Sequence, residues 1–124
     1  MKKNFLTGLC LVIGLSLTPL HAALNLGWMK TSPARNFTSE DWEILKAAVA
    51  TALNEKDDGE TVEWNNDATG SHGSVKPVSR VEVDGRECRD VEVRNFAGNL
   101  NGGGTFRLCR MEDGTWKLLS AGSQ

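Results

Sequence analysis

Apolar residues recur every three or four positions in one segment of the chain, as they do on one face of an α-helix. The segment runs from Ser39 to Asn54, and Thr38 and Asp41 have the spacing of a capping box at its start. Phe37 and Trp42 occupy the two positions of a hydrophobic staple. The pattern predicts one amphipathic helix that packs through a single stripe: Trp42, Leu45, Val49, Ala52 and Leu53.

Beyond the helix, polar and apolar residues alternate in short runs separated by Gly- and Asp-containing turns, which is typical of half-buried β-strands. Trp64 and Trp116 fall within such runs and are expected in the core. One helix followed by about five antiparallel strands indicates an α+β fold in which the helix packs on the sheet. We predict the strands over residues 60–66, 74–83, 86–96, 105–111 and 115–120.

The second predicted strand and the hairpin that follows it have irregular features. Pro77 cannot donate a main-chain hydrogen bond, so it implies an edge position or a β-bulge. The Asp84-Gly85 pair favours a hairpin turn. A three-residue turn would place Glu82 opposite Arg86, whereas a two-residue turn would place it opposite another glutamate. We therefore expect the three-residue turn.

The amino terminus has the three parts of a secretory signal peptide. Two lysines are followed by an uncharged apolar stretch and then by small residues, so we expect cleavage after Ala22 and a leader of residues 1–22. The exported protein is then expected in the periplasm, without a membrane span after leader cleavage. Residues 23–36 have no periodic pattern and are predicted to be a poorly ordered lead-in to a domain at 37–124.

Charge and cysteine usage narrow the classes of site. The formal net charge of −2 argues against non-specific binding to nucleic acid. Cys10 lies in the leader, so two cysteines remain after export, Cys88 and Cys109, and an oxidising compartment favours a disulfide between them. A zinc site usually needs four ligands, and His72, in a polar turn, is the one histidine outside the leader. Metal and redox roles are the alternatives, and we expect neither a metal nor another cofactor.

An arginine follows each of the two exported cysteines. Arg89 and Arg110 are therefore candidates for an anion- or partner-binding pair at the surface beside the disulfide. Ion pairs with neighbouring acids, Asp90 or Glu112, are the alternative. Trp28, in the lead-in, is a candidate exposed anchor for a partner.

Several short motifs follow one another between Trp42 and Trp116: Trp64-Asn65, Thr69-Gly70, Gly73-x-Val75-x-Pro77, Asp84-Gly85-Arg86-x-Cys88-Arg89 and Cys109-Arg110-x-x-Asp113-Gly114-x-Trp116. Together they resemble the carboxy-terminal domain of the rickettsial 17-kDa surface antigen family of proteobacterial envelope proteins. The resemblance implies an envelope domain, often antigenic, with no known enzymatic activity. The chain lacks the family's lipoprotein cysteine after the leader and its glycine-zipper stretch. A periplasmic form is therefore expected, with cell-surface or outer-membrane association as the alternative.

The sequence favours a binding role over catalysis, because no nucleophile–base set and no metal-ligand set can be assembled from it. The first hypothesis is a non-enzymatic periplasmic or envelope module that binds a protein or cell-wall partner. The alternative is a small periplasmic inhibitor or accessory subunit of one enzyme. The glycine-rich run at Asn99–Gly104, predicted to be an exposed and flexible loop, would serve as a contact surface in either case.

Overall fold

A computed structural model describes residues 33–121 of the chain. The predicted leader, Cys10 and Trp28 lie outside the described residues. Within that range, the predicted α+β arrangement of one helix on an antiparallel sheet of five strands is confirmed. The elements are a 3-10 helix at Ala34–Asn36, α1 at Ser39–Glu55, β1 at Val62–Asn65, β2 at His72–Val83, β3 at Arg86–Ala97, β4 at Leu100–Arg110 and β5 at Trp116–Ala121.

The start of α1 is the predicted capping box. The main-chain N–H of Asp41 donates to Thr38 Oγ1 over 3.1 Å, and the N–H of Thr38 donates to Asp41 Oδ2 over 3.0 Å. These bonds satisfy two N–H groups that would otherwise lack partners at the start of the helix. The rings of Phe37 and Trp42 meet edge to face with centroids 5.6 Å apart, as the staple predicts. Trp42 is half-buried, and the rest of the predicted stripe is buried: Leu45, Val49, Ala52 and Leu53.

The strands form a single antiparallel meander in the order β1-β2-β3-β4-β5. Side chains alternate between the two faces of such a sheet. We call the face that packs against α1 the inner face and the opposite one the outer face. Trp64 and Trp116 lie in the core, as predicted. The other sheet residues buried in this core are Val75, Val91, Val93, Phe106 and Leu108.

A bulge interrupts β2 at the proline. The register of the β2–β3 pair shifts between Pro77 and Ser79, which leaves Val78 as the extra residue. Pro77 is buried, and its carbonyl oxygen accepts a hydrogen bond of 2.7 Å from the N–H of Gly59. The bulge, one of the two alternatives predicted from Pro77, is confirmed. It explains why apolar positions before and after Pro77 do not share one alternating pattern.

The β2–β3 hairpin has a two-residue turn, so the predicted three-residue turn is wrong. Asp84 and Gly85 have φ angles of 51° and 77°, which suit a tight turn of this kind. Glu82 therefore faces Glu87 across the hairpin. The repulsion is offset because Arg80 Nη1 donates to Glu87 Oε1 over 2.9 Å. Arg80 is the third charge that makes the two-residue turn acceptable, and it was not considered in the prediction of the turn.

The glycine-rich run is mostly strand, whereas a flexible loop was predicted. The turn between β3 and β4 is two residues long, and β4 already begins at Leu100. A Cβ at Gly103 would collide with the main-chain carbonyl of Val93 on the neighbouring strand. The glycines thus allow a close approach of two backbones. Asn99–Gly104 is therefore largely a paired segment of the sheet.

Cys88 and Cys109 form the predicted disulfide, which joins β3 to β4. The two residues face each other across the strands with Cα atoms 4.0 Å apart, and both are buried. Their positions in the alternation place the bridge on the outer face. The bridge spans a sequence separation of 21 residues, for which loop-closure entropy implies a stabilisation of about 3 kcal/mol.

The last residues of the predicted poorly ordered lead-in form a turn and the 3-10 helix. Pro33 and Ala34 are buried, and the 3-10 helix contacts β3. The N–H of Phe37 donates to the carbonyl oxygen of Ala34 over 3.1 Å, which connects this helix to the start of α1. Residues 23–32 lie outside the described residues.

Candidate functional site

Arg89, predicted at the surface, is fully buried between the inner face and α1. Its Nη1 donates to the carbonyl oxygens of Ala52 and Leu53 over 3.0 and 2.9 Å, and its Nη2 donates to Asp58 Oδ1 over 2.8 Å. These carbonyls belong to the last turn of α1, where the helix leaves acceptors without partners and its dipole is negative. Arg89 therefore holds the end of the helix, and the predicted anion-binding pair with Arg110 is not formed.

Arg110 is exposed, but its contacts lie within the domain. Its guanidinium carbon lies 5.0 Å from the ring centroid of Trp116, and its Nη1 lies 3.7 Å from Glu87 Oε2. The indole N–H of Trp116 donates to Asn54 Oδ1 over 3.1 Å, and Arg110 Nη2 lies 3.4 Å from the same oxygen. Arg110 thus covers a core tryptophan and joins β4 to the end of α1. Its acidic partner is Glu87, whereas the sequence had suggested Glu112.

A second buried charge, Asp41, holds the opposite end of α1. Its Oδ1 accepts hydrogen bonds from Asn66 Nδ2 over 2.8 Å and from Thr69 Oγ1 over 2.7 Å. Burial by itself would raise the pKa of the Asp41 carboxyl, but hydrogen bonds from Thr38, Thr69, Asn66 and Ser71 bring that pKa below its ordinary value. The ionised carboxylate therefore ties the start of α1 to the turn between β1 and β2.

The outer face carries an exposed pair of rings at the end of the sheet where β1, β2 and β3 meet. His72 and Phe96 pair across the strands, and their rings stack with centroids 4.8 Å apart and 5° between planes. Phe96 is 38% exposed, which is unusual for a side chain of its size in this domain. Both rings line a cleft of about 430 Å³ together with Glu63, Asn65 and Ser74. We call this the outer-face cleft.

Most of the accessible polar groups that line the outer-face cleft can accept hydrogen bonds, because the one indole donor among its lining residues, Trp64 Nε1, is buried. Nδ1 of His72 lies 3.1 Å from the carbonyl oxygen of Gly70, which can only accept, so in the neutral imidazole Nδ1 donates and Nε2 is an acceptor. Asn65 Nδ2 donates to Asp67 Oδ1 over 2.8 Å, which leaves the amide oxygen of Asn65 free to accept. Within residues 33–121, the carboxylate of Glu63 has neither an ion pair nor a hydrogen bond.

Trp64 and Gly73, which pair across β1 and β2, also line the outer-face cleft. A Cβ at Gly73 would lie 2.7 Å from Trp64 Nε1 and 3.1 Å from Asn95 Oδ1, and it would collide with the carbonyl oxygen of Arg94. The backbone of β2 is therefore pressed against buried groups on the inner side. Any larger residue at position 73 would move the strands that shape the cleft.

Elsewhere on the outer face, opposite charges pair with each other. Arg107 binds the carboxylate of Asp90 through Nε and Nη2, over 2.7 and 3.0 Å. Ser79 Oγ donates to the same carboxylate over 3.1 Å. The hydrogen bonds from Arg107 hold the pKa of Asp90 below its ordinary value. The charges of Arg107 and Asp90 compensate each other, whereas Glu63 in the outer-face cleft forms no ion pair with any described residue.

The described part of the chain shows neither a metal centre nor a membrane-spanning helix. No cluster of three or more His, Cys, Asp or Glu side chains in residues 33–121 could hold a metal ion. None of the helices in this range has the length and apolar character needed to cross a bilayer.

Comparison with known proteins identifies the family to which these strands belong. A family model described as "17 kDa outer membrane surface antigen" matches residues 51–117, which is more than half of the chain. The chain belongs to this family. It is 27% identical over 82 residues to the 17 kDa surface antigen of Rickettsia prowazekii (strain Madrid E), across 65% of this chain and 52% of the relative. It therefore spans about half the length of the curated relative that it matches. No solved structure matched the chain.

The surface-antigen family predicted from the motifs is thereby confirmed, and the matched residues include the whole outer-face cleft. Sequence reasoning placed His72 in a turn and gave no role to Phe96. The available signal was an aromatic residue at a position that alternation assigns to the outer face of β3. Its partner could not be identified without the register of β2 on β3.

Proposed function

We propose that this member of the surface-antigen family is a non-enzymatic envelope module that binds a protein or cell-wall partner at the outer-face cleft. The observation that carries the proposal is the stacked and exposed pair of His72 and Phe96 beside the carboxylate of Glu63, which has neither an ion pair nor a hydrogen bond within residues 33–121. Large apolar side chains that are partly exposed are the usual anchors of interfaces. Membership of an outer membrane surface antigen family supports the envelope part of the proposal.

Export by the leader at residues 1–22 and residence in the periplasm belong to the same proposal, with cell-surface or outer-membrane association as the alternative. The disulfide supports export, because such bridges persist in oxidising compartments. Trp28 stays a proposed additional anchor for the partner. Arg89 and Arg110 have internal roles and take no part in the proposed binding.

Retention of partners by immobilised protein tests the outer-face cleft directly. Wild type and Phe96→Ala are incubated with envelope extract and, separately, with purified cell wall, and bound material is identified by mass spectrometry. Leu119→Ala is the matched control, because it removes an apolar side chain that is 53% exposed on β5. We expect Phe96→Ala to lose the partner and Leu119→Ala to keep it.

Equal retention by the two variants would contradict binding at the outer-face cleft. Sedimentation of the wild type with cell wall would identify a wall component as the partner. A single enzyme retained in stoichiometric amount would favour the role of inhibitor or accessory subunit instead.

A further inference from the structure

The geometry points to an arginine side chain of a partner protein as the group that the outer-face cleft binds. This inference rests on the proposed function, since the cleft must bind a partner before the chemistry of that partner matters. Three features of the cleft carry it: an uncompensated carboxylate, a surplus of hydrogen-bond acceptors and a stacked pair of rings.

The charge of the outer-face cleft is complementary to a cation. Glu63 has no ion pair within the described residues. Arg94, which lies opposite Ser74 at the rim, is already paired with Glu92, with Nε and Oε1 3.6 Å apart. Asp67 adds a second negative charge at the margin, where it binds Asn65. Lys76, on the outer face of β2 opposite Glu92, also forms no ion pair within the described residues, but it does not line the cleft. The carboxylate of Glu63 therefore favours a cationic ligand over an anionic one.

The neutral polar groups of the cleft favour a ligand that donates hydrogen bonds and accepts none. Nε2 of His72 and the amide oxygen of Asn65 are acceptors, because their neighbouring nitrogens already donate to Gly70 and Asp67. A guanidinium group has five N–H donors in one plane and no acceptor. It can form a two-pronged bond with the carboxylate of Glu63 while it donates to the neutral acceptors.

The stacked rings distinguish arginine from lysine. His72 and Phe96 are nearly parallel, and a planar guanidinium can extend such a stack over an exposed ring. A lysine ammonium is a compact and strongly hydrated charge that cannot stack. Arginine is also enriched among the residues that anchor protein interfaces, which fits a protein partner.

Titration of the purified, ¹⁵N-labelled protein with three matched peptides tests this inference by NMR. The peptides are acetyl-Ala-Arg-Ala-amide, its lysine analogue and its citrulline analogue, which keeps the planar shape of arginine and lacks its charge. We expect the arginine peptide to shift the amide resonances of Glu63, His72 and Phe96 in a saturable way. The lysine peptide should bind about two- to fivefold more weakly, and the citrulline peptide should produce no saturable shift.

Variants of the protein separate the contribution of each group. Glu63→Gln keeps the size of the side chain and should lower the affinity for the arginine peptide by about three- to tenfold. Phe96→Ala should lower the same affinity by about two- to fivefold. Glu112→Gln, an exposed glutamate in the β4–β5 turn, is the charge-matched control and should leave the affinity unchanged. The thermal midpoint of each variant shows that the fold is intact.

Three outcomes would overturn the arginine inference. The citrulline peptide could bind as tightly as the arginine peptide, no peptide could shift the resonances of the cleft, or the shifts could be confined to another surface. If a cell-wall fragment shifts the same resonances and the arginine peptide does not, the cleft is still the binding site, but its ligand is a cell-wall component and the arginine inference fails. If Phe96→Ala loses its retained partner while Glu63→Gln keeps it, the proposed function stands and the arginine inference fails. If both variants keep every partner, the proposed function itself fails.

Discussion

Arg89 and the outer-face cleft show that polar side chains on the two faces of one sheet can have different roles. On the inner face, the two terminal nitrogens of Arg89 are bound to the end of α1 and to Asp58, and no surface of the side chain reaches solvent. On the outer face, Glu63 and the His72–Phe96 pair face solvent without a full set of partners in the described residues. A buried polar group whose partners are internal stabilises the fold, whereas an accessible one without partners is available to a ligand.

The largest effect is expected from Arg89→Ala, which should lower the free energy of unfolding by about 3–5 kcal/mol. The substitution leaves carbonyl oxygens of α1 buried without donors and removes the ion pair with Asp58. Arg94→Ala is the matched control on the outer face of the same strand, where the side chain is 62% exposed, and it should change stability by no more than about 0.5 kcal/mol. Urea unfolding of both variants measures the difference. Similar losses of stability in the two variants would contradict the view that polar side chains on the inner face stabilise the fold more than those on the outer face.

Removal of the disulfide comes next in size. The double substitution Cys88→Ala and Cys109→Ala should cost about 3 kcal/mol, measured by urea unfolding against the oxidised wild type. The bridge lies on the outer face but far from the cleft, since Cys88 and Phe96 are roughly 26 Å apart along β3. Binding by the folded variant should therefore be unchanged. A loss of partner binding by the fully folded variant would show that the two ends of the outer face are coupled.

Asp41→Asn should cost about 1–3 kcal/mol at neutral pH, because an amide cannot accept every hydrogen bond that the carboxylate accepts. The pKa of Asp41 is lowered in the folded state, so the ionised carboxylate stabilises the fold at pH values above the pKa of the unfolded chain. This contribution disappears as pH falls through the lowered pKa. Urea unfolding over a series of acidic pH values should therefore show a steeper loss for wild type than for Asp41→Asn. Parallel curves would assign the acid sensitivity to other carboxylates, such as Asp90.

Local features of the domain could be predicted from the sequence because their causes lie close together in the chain. The capping box needs only Thr38 and Asp41, and the missing N–H of Pro77 predicts an edge position or the bulge that is found. The disulfide could be predicted from a count of cysteines, since the predicted removal of the leader would leave Cys88 and Cys109 alone.

The features that sequence reasoning missed depend on pairing between distant residues. The face on which Arg89 lies depends on the alternation of β3, and its partners come from the end of α1. The two-residue hairpin turn is tolerated because Arg80 reaches Glu87. The outer-face cleft exists because the register of β2 on β3 brings His72 opposite Phe96. Alternation along β3 could have placed Arg89 on the inner face and Phe96 on the outer face, but the partners of these side chains leave no periodic signal in the sequence.

The most direct test of the separation between the two faces measures stability and binding on the same sample of Phe96→Ala. The substitution should lower the free energy of unfolding by about 1–2 kcal/mol, less than Arg89→Ala, because the ring is 38% exposed and only its covered part and the stack on His72 are lost. In the same preparation, the affinity for the arginine peptide should fall by about two- to fivefold. An unchanged affinity, or a fall that only accompanies a large loss of stability, would contradict the assignment of the outer-face cleft as the binding site.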